Sequence, residues 1–370
     1  MTRNARSDAL HQAVRAFASG QSTRSFSDLA LGIADFQRAF SPGFERLVTA
    51  RGRALKAVED IPGVPCDAFR LARVAVHPEA EDQLRFGTSG TSSGARGWHV
   101  MRTAETYRAL ALNYGRMALL AGNGPRRVVA LAPCLDTPPS SSLGYMMSMF
   151  MLDFEHFSEA EMRSPERWLL GDTGVNVAGL ERAANLARQG GEALLVLATS
   201  FALVGLLDVL EGRELPLPGS SVVMQTGGFK GKSREVEANE LRQSVAQTFG
   251  IAPSHVVSEY GMTELTSQLY EATLPGSKLE AERQGTAGVY CEPPWLRVIP
   301  VDPIHLEPVA PGEIGIGRII DLGNVDSAVA IQTQDRVRRV QGGIELLGRA
   351  PGATPRGCSL AIEEFLARTT

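Results

Sequence analysis

Strand-like and helix-like runs of residues alternate through the middle of this chain. Short apolar runs that are typical of buried strands lie at Val128–Leu131, Leu194–Ala198 and Ser221–Met224. Longer runs with apolar residues at helical spacing lie at Ala104–Leu120, Val177–Arg188, Phe201–Leu210 and Glu235–Phe249. Because strands that alternate with helices pack as parallel sheets covered by helices, the sequence predicts a layered α/β fold.

The two ends of the chain follow other patterns. The first 60 residues have apolar residues at helical spacing, and from Gly285 onward short apolar stretches follow one another with turn residues between them. The second pattern predicts antiparallel β-structure, and a last helix is predicted over Ser359–Arg368. We therefore expect a helical N-terminal segment (1–75), an α/β core (76–284), a smaller β-rich sub-lobe (285–349) and a C-terminal tail (350–370).

Composition and charge argue against two broad classes of protein. The 370 residues carry a net charge of -4, so no basic excess is present to bind nucleic acid. The apolar run Ala193–Leu207 is shorter than the roughly 20 residues of a membrane span, and it predicts a buried strand followed by a helix. The charged start of the chain is followed by no apolar run, which predicts no secretory signal and a cytoplasmic protein.

The cysteines are too far apart in sequence for a zinc ribbon or a redox pair; they are Cys66, Cys134, Cys291 and Cys358. A disulfide framework is not expected in a chain of this length with so few cysteines. We interpret the first three as structural. Cys358 stands apart because it lies in the predicted tail.

A dense run of glycine, serine and threonine follows the strand-like segment Gln83–Phe86. Its backbone N–H groups and small hydroxyls offer many hydrogen-bond donors without bulk, which suits a chain of phosphates. The alternative interpretation is a flexible surface turn. If the loop binds phosphate, its candidate residues are Thr88, Ser89, Gly90, Thr91, Ser92, Ser93 and Gly94.

Three other loop motifs do not fit this sequence. Gly90–Gly94 matches the G-x-S-x-G nucleophile elbow, but Gly97–Met101 is strand-like where the elbow requires a helix. The P-loop order G-x-x-x-x-G-K-[ST] is nearly met at Gly231-Lys232-Ser233. It fails because Thr226 stands at the position of the first glycine. The dinucleotide fingerprint fails after Gly315-Ile316-Gly317, because no third glycine follows at the required position.

A second motif, Ser258-Glu259-Tyr260-Gly261-Met262-Thr263-Glu264, gives the loop a context. It resembles the Y-G-x-T-E segment of the adenylate-forming superfamily, which includes acyl-CoA synthetases, firefly luciferase and peptide-synthetase adenylation domains. The loop resembles that superfamily's phosphate loop. The resemblance implies that Tyr260 stacks on adenine, with Gly261 in the same cofactor site. It also implies that Thr263 contacts phosphate and that Glu264 holds Mg²⁺, which is suitable chemistry for a carboxylate. The alternative is an acidic turn after a buried strand.

Three shorter segments match the same superfamily. Thr226-Gly227-Gly228 resembles the glycine segment that lines the adenine and acyl pocket. Thr333-Gln334-Asp335 stands where the superfamily has T-G-D, which implies that Asp335 accepts hydrogen bonds from both ribose hydroxyls. Gly348-Arg349 stands where the superfamily's hinge arginine lies, which implies a catalytic role for Arg349. From the residues alone, a surface pair at a strand end is the preferred interpretation of Asp335 and Arg349.

The sequence departs from the superfamily pattern in two places. Arg96 stands near the position of the usual loop lysine, and arginine keeps the charge but changes the geometry of the donors. The chain also ends at residue 370, soon after Arg349, where typical members continue into a mobile C-terminal domain. We therefore expect that domain to be reduced to a short tail, and we assign no catalytic lysine.

The tail segment Arg356-Gly357-Cys358-Ser359-Leu360 resembles one branch of the superfamily, the acyl-protein synthetases that serve acyl-protein reductases in bacterial luminescence. Other stretches resemble the same branch, namely Ser140–Met147, Thr226–Gly231 and Asp321–Ser327. In that family the acyl group moves from AMP to a cysteine near the C-terminus, which implies that Cys358 is the acyl acceptor. A thiolate is a strong nucleophile, and Arg356 would favour the thiolate form. The alternative is a half-buried cysteine at the start of a helix.

The resemblance implies a ligase that uses ATP and Mg²⁺ to convert a carboxylic acid into an acyl-adenylate. We expect a fatty acid or another apolar acid, because Ser140–Met151 and Ala198–Leu206 are apolar. The acyl group is expected to pass to Cys358 as a thioester, and then to an acyl-protein reductase or an acyl carrier. Two alternatives remain open. One is transfer to coenzyme A or a carrier thiol, and the other is a non-catalytic nucleotide-binding partner subunit.

Overall fold

The computed structural model describes residues 1–88, 96–122, 124, 126–155, 158–171, 174–227 and 237–351. Its α-helices are α1 (Arg3–Ala18), α2 (Phe26–Phe40), α3 (Pro42–Arg51), α4 (Ala68–Leu71), α5 (Glu105–Leu119), α6 (Ser142–Phe154), α7 (Glu159–Met162), α8 (Val177–Gly190), α9 (Ser200–Leu210), α10 (Ala238–Phe249) and α11 (Lys278–Arg283). Short 3-10 helices lie at Val58–Asp60, Glu79–Glu81 and Pro253–His255. The helix predicted over Ser359–Arg368 lies outside the described residues.

The β-strands follow the chain in this order: β1 (Val64–Pro65), β2 (Leu84–Gly87), β3 (Trp98–Met101), β4 (Arg126–Leu131), β5 (Leu170–Gly171), β6 (Gly174–Val175), β7 (Ala193–Thr199), β8 (Val222–Thr226), β9 (Val256–Tyr260), β10 (Leu269–Glu271), β11 (Val289–Cys291), β12 (Leu296–Val301), β13 (Ile314–Asp321), β14 (Ala330–Val340) and β15 (Gly343–Arg349). Each strand-like and helix-like run predicted for the middle of the chain overlaps one of these elements.

The described chain divides into two compact units, each built from separate stretches of sequence. Unit 1 comprises Met1–Tyr114, Met262–Leu269 and the described residues from Glu292 onward. Unit 2 comprises Gly115–Gly261 and Tyr270–Cys291. The four segments expected from the sequence are continuous stretches of chain, whereas each compact unit combines separate stretches. The division into those four domains stays a prediction.

A largely parallel sheet forms the centre of unit 2. Its strand order is β11-β10-β9-β8-β7-β4, with β4, β7, β8 and β9 parallel and β10 antiparallel to β11. The parallel strands are nearly continuous apolar runs because they are buried on both faces. The predicted α/β class and its parallel core are therefore confirmed.

The register of this sheet places three oxygen-bearing side chains in one row at the carboxyl ends of its strands. Thr199 of β7 is opposite Thr226 of β8, which is opposite Glu259 of β9. All three side chains are buried. Because ligands of open α/β sheets bind at the carboxyl ends of the strands, this is the edge where a ligand of unit 2 is expected.

The apolar run Ala193–Leu207 is the strand β7 followed by the helix α9, as predicted. The Thr199 hydroxyl ends the strand and begins the helix, because it accepts a hydrogen bond from Ala202 N–H at 3.1 Å. Within the described residues, no helix is both long enough and apolar enough to cross a membrane.

Helix α6 is an element that the sequence pattern did not reveal. It begins after Ser141, whose hydroxyl accepts a hydrogen bond from Gly144 N–H at 3.1 Å, and its methionines are largely buried. A helix that is apolar on all sides lacks the 3.6-residue period on which helix prediction relies. Because α6 is part of the core of unit 2, the apolar character of Ser140–Met151 is explained by packing and gives no information about the acid.

Unit 1 combines the N-terminal helices with an antiparallel sheet. The strand order is β12-β13-β14-β15, each strand antiparallel to its neighbour, and β1 pairs in parallel with β14. β2 and β3 form a separate antiparallel pair. The helices predicted near the N-terminus and the antiparallel strands predicted after Gly285 are both confirmed.

A buried carboxylate in unit 1 joins α1 to the segment 321–327. Asp326 accepts hydrogen bonds from Ser7 Oγ at 2.5 Å and from His11 Nε2 at 2.8 Å, and Arg102 Nε lies 3.4 Å from it. Burial raises the pKa of Asp326, but the hydrogen bonds from His11 and Ser7 and the charge of Arg102 together bring it below its ordinary value. The folded state therefore stabilises the ionised carboxylate.

Replacing Asp326 with alanine should lower the free energy of unfolding by about 3 kcal/mol, because Ser7, His11 and Arg102 lose their shared acceptor. Chemical denaturation followed by circular dichroism measures the change. Glu79→Ala is the matched control, since Glu79 is an exposed carboxylate of the same unit, and it should cost less than about 0.5 kcal/mol. Equal losses in the two variants would contradict this role for Asp326.

Candidate functional site

The predicted site residues fall into two sets, one in each unit. In unit 1 the described ones are Thr88, Thr263, Glu264, Asp335 and Arg349, and in unit 2 they are Gly227, Tyr260 and Gly261. The loop residues Ser89, Gly90, Thr91, Ser92, Ser93 and Gly94 lie outside the described residues, as do Gly228 and Cys358. The Ser258–Glu264 motif is divided between the units after Gly261.

Thr88 lies at the end of β2, where the predicted phosphate loop begins. Its backbone N–H donates to the Gly97 carbonyl at 2.9 Å, one residue beyond the last pair of the β2–β3 ladder. A Cβ atom on Gly97 would lie 2.6 Å from Thr88 Oγ1 and 2.7 Å from the Phe69 carbonyl oxygen, so only glycine fits there. The two stems of the loop are thus held side by side.

Arg96, which stands near the position of the superfamily's loop lysine, contacts an aromatic ring. Its guanidinium carbon lies 5.6 Å from the centre of the Trp98 ring, and that of Arg85 lies 5.4 Å from the same centre. A planar guanidinium stacks on aromatic rings more readily than an ammonium group does. The arginine therefore has a local packing contact that a lysine would make less well.

The Thr263–Glu264 segment is held through its main chain within unit 1. His99 Nδ1 donates to the Thr263 carbonyl at 2.7 Å, and Asn324 Nδ2 donates to the Glu264 carbonyl at 2.9 Å. The side chains of Thr263 and Glu264 are both buried. With both carbonyls fixed, the backbone has little freedom to rotate, so the two side chains keep a defined direction.

The residues that follow Glu264 are held by one buried carboxylate. Asp321 Oδ2 accepts from Thr266 N–H at 2.8 Å and from Ser267 N–H at 2.9 Å. Asp321 Oδ1 accepts from Ser267 Oγ at 2.8 Å and from Gly323 N–H at 2.8 Å. Burial raises the pKa of Asp321, and these hydrogen bonds oppose that shift. The carboxylate therefore fixes the turn after Glu264 to the end of β13.

His99 is a buried histidine that is kept neutral. Because the Thr263 carbonyl can only accept, Nδ1 carries the proton, and Nε2 accepts from Ser327 Oγ at 3.0 Å. Burial lowers the pKa of His99 to about 4. At neutral pH the uncharged ring thus holds the Thr263 backbone on one side and the segment 321–327 on the other.

Asp335 and Arg349 are brought together by the register of β14 and β15. They are directly opposite each other, and Arg349 Nη1 lies 3.6 Å from Asp335 Oδ1. Arg349 Nη2 also donates to Gln334 Oε1 at 3.0 Å, and Thr333 Oγ1 accepts from Asp335 N–H at 3.2 Å. The two charged side chains are 19% and 20% exposed, so a ligand could reach both. Asp335 lies within β14 and Arg349 ends β15, so the pair is not at two strand ends, and the roles implied for both residues stay predictions.

In unit 2, Gly227 and Tyr260 occupy the carboxyl ends of neighbouring strands. Gly227 has a φ of 80°, which favours glycine, and its carbonyl accepts from Ser200 Oγ at 2.7 Å. The Tyr260 ring packs edge-to-face on Tyr290, with 6.2 Å between the ring centres. Gly261 follows Tyr260 directly. A glycine with a positive φ after β8 and an aromatic ring at the end of β9 therefore lie at the edge expected to bind a ligand.

Glu259 is a buried carboxyl group at the same edge. Its Oε2 accepts a hydrogen bond from the Thr226 hydroxyl. Burial raises the pKa of Glu259 to about 7, and the hydrogen bond from Thr226 offsets only part of that shift. Burial therefore favours the neutral form of this carboxyl group.

Sequence analysis missed the residues that hold the candidate site in place, which are His99, Asp321, Asn324 and Glu259. Two kinds of signal were available for them. His99 and Glu259 are polar residues inside otherwise buried strands, a combination that requires a specific partner. Asp321 and Asn324 lie in the segment 321–327, whose resemblance to the acyl-protein synthetases was noted without a structural role.

Comparisons with known proteins agree with this fold. No protein-family model matches the chain. The long-chain-fatty-acid–luciferin-component ligase of Vibrio harveyi is 21% identical over 327 residues, which cover 85% of this chain and 80% of that protein. An open conformation of 2-hydroxyisobutyryl-CoA ligase in complex with 2-HIB-AMP and CoA gives a TM-score of 0.60 at 15% identity, covering 89% of this chain and 76% of that chain. The same ligase in its postadenylation state with 2-HIB-AMP gives 0.59 at 14% identity, covering 89% and 69%. The resemblance to the acyl-protein synthetases is confirmed, and the fold is that of the adenylate-forming enzymes.

Replacing His99 with glutamine should make stability less dependent on pH. The folded-state pKa of about 4 lies below the ordinary value of 6.5, so the unfolded chain binds more protons between these values. The free energy of unfolding of the parent should therefore fall as the pH falls from 6.5 towards 4. Glutamine keeps an N–H donor for Thr263 but gains no proton, so its decline should be shallower. Urea denaturation across this interval measures both slopes, and equal slopes would contradict the assignment.

Proposed function

We propose that this chain is an AMP-forming ligase that activates a carboxylic acid with ATP. The observation that carries the proposal is the Thr263–Glu264 segment, which ends the Y-G-M-T-E motif and has both carbonyls fixed. It occurs in a fold shared with a ligase crystallised with 2-HIB-AMP. The similarity to a fatty-acid ligase over 85% of the chain supports the same activity.

In the proposed reaction, a carboxylate oxygen of the acid attacks the α-phosphorus of ATP. A bond forms between that oxygen and the phosphorus, the bond from the phosphorus to the oxygen that bridges to the β-phosphate breaks, and pyrophosphate leaves with the electron pair. Both reactants are anions. The main contributions of the protein are therefore to hold them in line and to neutralise their charge.

The residues at the carboxyl edge of unit 2 are proposed to bind adenine. Tyr260 would stack on the purine, since an aromatic face suits a base. Gly227, Gly228 and Gly261 would let the nucleotide approach the backbone closely, because glycine has no side chain. The positive φ of Gly227 and the edge-to-face support of Tyr260 by Tyr290 favour these roles.

Glu264 is proposed to hold Mg²⁺. Within the described residues there is no group of three or more histidine, cysteine, aspartate and glutamate side chains that could hold a metal ion. Mg²⁺ at nucleotide sites usually takes one or two carboxylates, with phosphates and water as its other ligands, so a single buried carboxylate fits. The ion would supply charge neutralisation. Thr263, Thr88 and the loop 89–94 would donate hydrogen bonds to phosphate oxygens.

In unit 1, Asp335 is the proposed ribose-binding residue and Arg349 a proposed catalytic residue. Asp335 would accept hydrogen bonds from the two ribose hydroxyls, which one carboxylate can do. Its backbone is fixed by Thr333, and its side chain is partly exposed. Arg349, which is 3.6 Å away, would contribute positive charge during catalysis.

The acyl group is proposed to pass next to Cys358. The thiolate sulfur attacks the acyl carbon, the bond from that carbon to the phosphate oxygen breaks, and AMP leaves with the electron pair. Arg356 would favour the thiolate. The thioester would then be delivered to an acyl-protein reductase or an acyl carrier. A fatty acid or another apolar acid is proposed as the substrate, in keeping with the name of the Vibrio harveyi ligase.

Acid-dependent exchange of labelled pyrophosphate into ATP tests the first step, with a panel of medium-chain and long-chain fatty acids. Glu264→Gln should lower the exchange rate by about 100-fold, because it removes the proposed metal ligand. Glu79→Gln, which changes an exposed carboxylate of the same unit, should keep the parental rate. No exchange in the parent with any acid of the panel would contradict the proposal and favour the non-catalytic alternative.

Intact-protein mass spectrometry after incubation with MgATP and acid tests the acceptor. We expect a gain of one acyl group that hydroxylamine removes and that Cys358→Ser lacks. Cys134→Ser is the matched control, because Cys134 is an exposed cysteine in the described part of the chain, and it should be acylated like the parent. A full gain in Cys358→Ser would refute the assignment. Pyrophosphate exchange without a gain in protein mass would indicate that the acyl group passes to coenzyme A or a carrier.

A further inference from the structure

Gln37 of α2 is fully buried and forms hydrogen bonds with both ends of the segment 324–329. Its Nε2 donates to the Asn324 carbonyl at 2.7 Å and to the Val325 carbonyl at 3.0 Å. Its Oε1 accepts from Val329 N–H at 3.0 Å. Both donors and the oxygen of this amide are therefore used on one short segment, which begins 287 residues further along the chain.

Asn324, whose main chain Gln37 holds, uses its own side-chain amide on the end of the Y-G-M-T-E motif. Its Nδ2 donates to the Glu264 carbonyl and to the Ala328 carbonyl, both at 2.9 Å. Its Oδ1 accepts from Thr266 Oγ1 at 2.6 Å. Only this orientation gives each amide atom a suitable partner, because the two carbonyls can only accept. Asn324 is 1% exposed, so its amide depends on these three protein groups.

A continuous route of hydrogen bonds thus joins α2 to the backbone of Glu264. Gln37 fixes the turn from which the Asn324 side chain extends, and that side chain holds the Glu264 carbonyl. If the amide of Gln37 is removed, the carbonyls of Asn324 and Val325 lose a buried donor, and the turn has to shift to regain one. Because the Asn324 amide moves with the turn, the direction of the Glu264 side chain changes as well.

We propose that Gln37 is a positioning residue for Glu264, and that α2 thereby sets the affinity of the site for Mg²⁺. The inference rests on the proposed function, in which Glu264 holds the ion. Groups that hydrogen-bond around a metal ligand fix its orientation, and the loss of one usually weakens metal binding by about 10- to 100-fold. Gln37 acts through Asn324, so we expect an effect at the lower end, about tenfold.

A simpler role for Gln37 is to attach α2 to the rest of unit 1. Its loss would then lower stability and leave the metal affinity of the folded protein unchanged. Gln332 of β14 provides the comparison, because it is a buried glutamine of the same unit whose Nε2 also donates to two carbonyls. These are the carbonyls of Gly317 at 3.1 Å and Thr333 at 3.2 Å. Neither belongs to the motif or to the segment 324–329.

The test measures the binding of Mn²⁺, a paramagnetic substitute for Mg²⁺, by electron paramagnetic resonance in the presence of α,β-methylene ATP. In this analogue a methylene group replaces the oxygen between the α- and β-phosphates, so pyrophosphate cannot leave and the readout is independent of turnover. Gln37→Met keeps the length of the side chain and removes its amide, and its Kd for Mn²⁺ should rise about tenfold. Gln332→Met should keep the parental Kd. A parental Kd in Gln37→Met, or an equal rise in Gln332→Met, would overturn the inference.

A double-mutant cycle tests whether Gln37 acts through Asn324. Asn324→Ala removes the amide that holds the Glu264 carbonyl, so its Kd for Mn²⁺ should rise at least as much as that of Gln37→Met. Adding Gln37→Met to Asn324→Ala should then raise the Kd by less than about twofold further, because the route is already interrupted. Two rises that multiply in the double variant would mean that Gln37 does not act through Asn324, and would contradict the inference.

Thr266→Val keeps the test decisive if Gln37→Met folds poorly. Valine has nearly the shape of threonine but lacks the hydroxyl that donates to Asn324 Oδ1, so the amide loses one of the bonds that orient it. The Kd for Mn²⁺ should rise, and a parental Kd in this variant would overturn the inference while leaving the proposed function intact. If the parent binds no Mn²⁺ with the analogue, the metal role proposed for Glu264 is wrong, and this inference with it.

Discussion

The arrangement of unit 1 around Glu264 depends on the four hydrogen bonds that the buried carboxylate of Asp321 accepts. Three of them connect the end of β13 to the turn that follows the Y-G-M-T-E motif, and the fourth, from Gly323 N–H, holds the segment that follows β13. Asn324 follows in the same segment. Its side-chain amide donates to the Glu264 carbonyl, and its backbone carbonyl accepts from Gln37 Nε2 of α2 at 2.7 Å. A buried carboxylate is costly unless its hydrogen bonds are made, so this region has one favourable arrangement rather than several. The consequence for function is that Thr263 and Glu264 are presented by a fixed backbone.

Each unit also places a titratable group, neutral or partly so near neutral pH, beside a motif assigned to an anionic ligand. His99 supports Thr263 in unit 1, and Glu259 precedes Tyr260 in unit 2. Burial shifts both pKa values in the direction that disfavours charge, downward to about 4 for the histidine and upward to about 7 for the carboxyl group. A neutral histidine can hold a backbone carbonyl without attracting a competing anion. A neutral carboxyl group can stand near carboxylate and phosphate without repelling them. Burial is thus the physical property that keeps both groups uncharged or partly so beside the motifs proposed to bind an anion.

Much of the fold could be predicted from the sequence, because the parallel strands and most helices have clear apolar patterns. The strand at Val128–Leu131 and the helix at Ala104–Leu120 are examples, correct to within a few residues. Helix α6 could not be predicted in this way, since a helix buried on all sides has no periodic face. The motif residues Tyr260, Thr263 and Glu264 were found from local sequence, whereas His99 and Asp321 act through partners more than 50 residues away. No local pattern specifies such pairings. The roles of the loop 89–94 and of Cys358 rest on the resemblance, because these residues lie outside the described structure.

The measurement that tests the central claim most directly is mass spectrometry of the acid-quenched reaction after incubation of the protein with MgATP and a fatty acid. The account predicts a species with the mass of the acyl-adenylate, formed together with pyrophosphate and absent when either ATP or the acid is left out. ADP and phosphate as the products, or no new species with any carboxylic acid tested, would contradict the claim that this fold and its Y-G-M-T-E motif catalyse adenylation here.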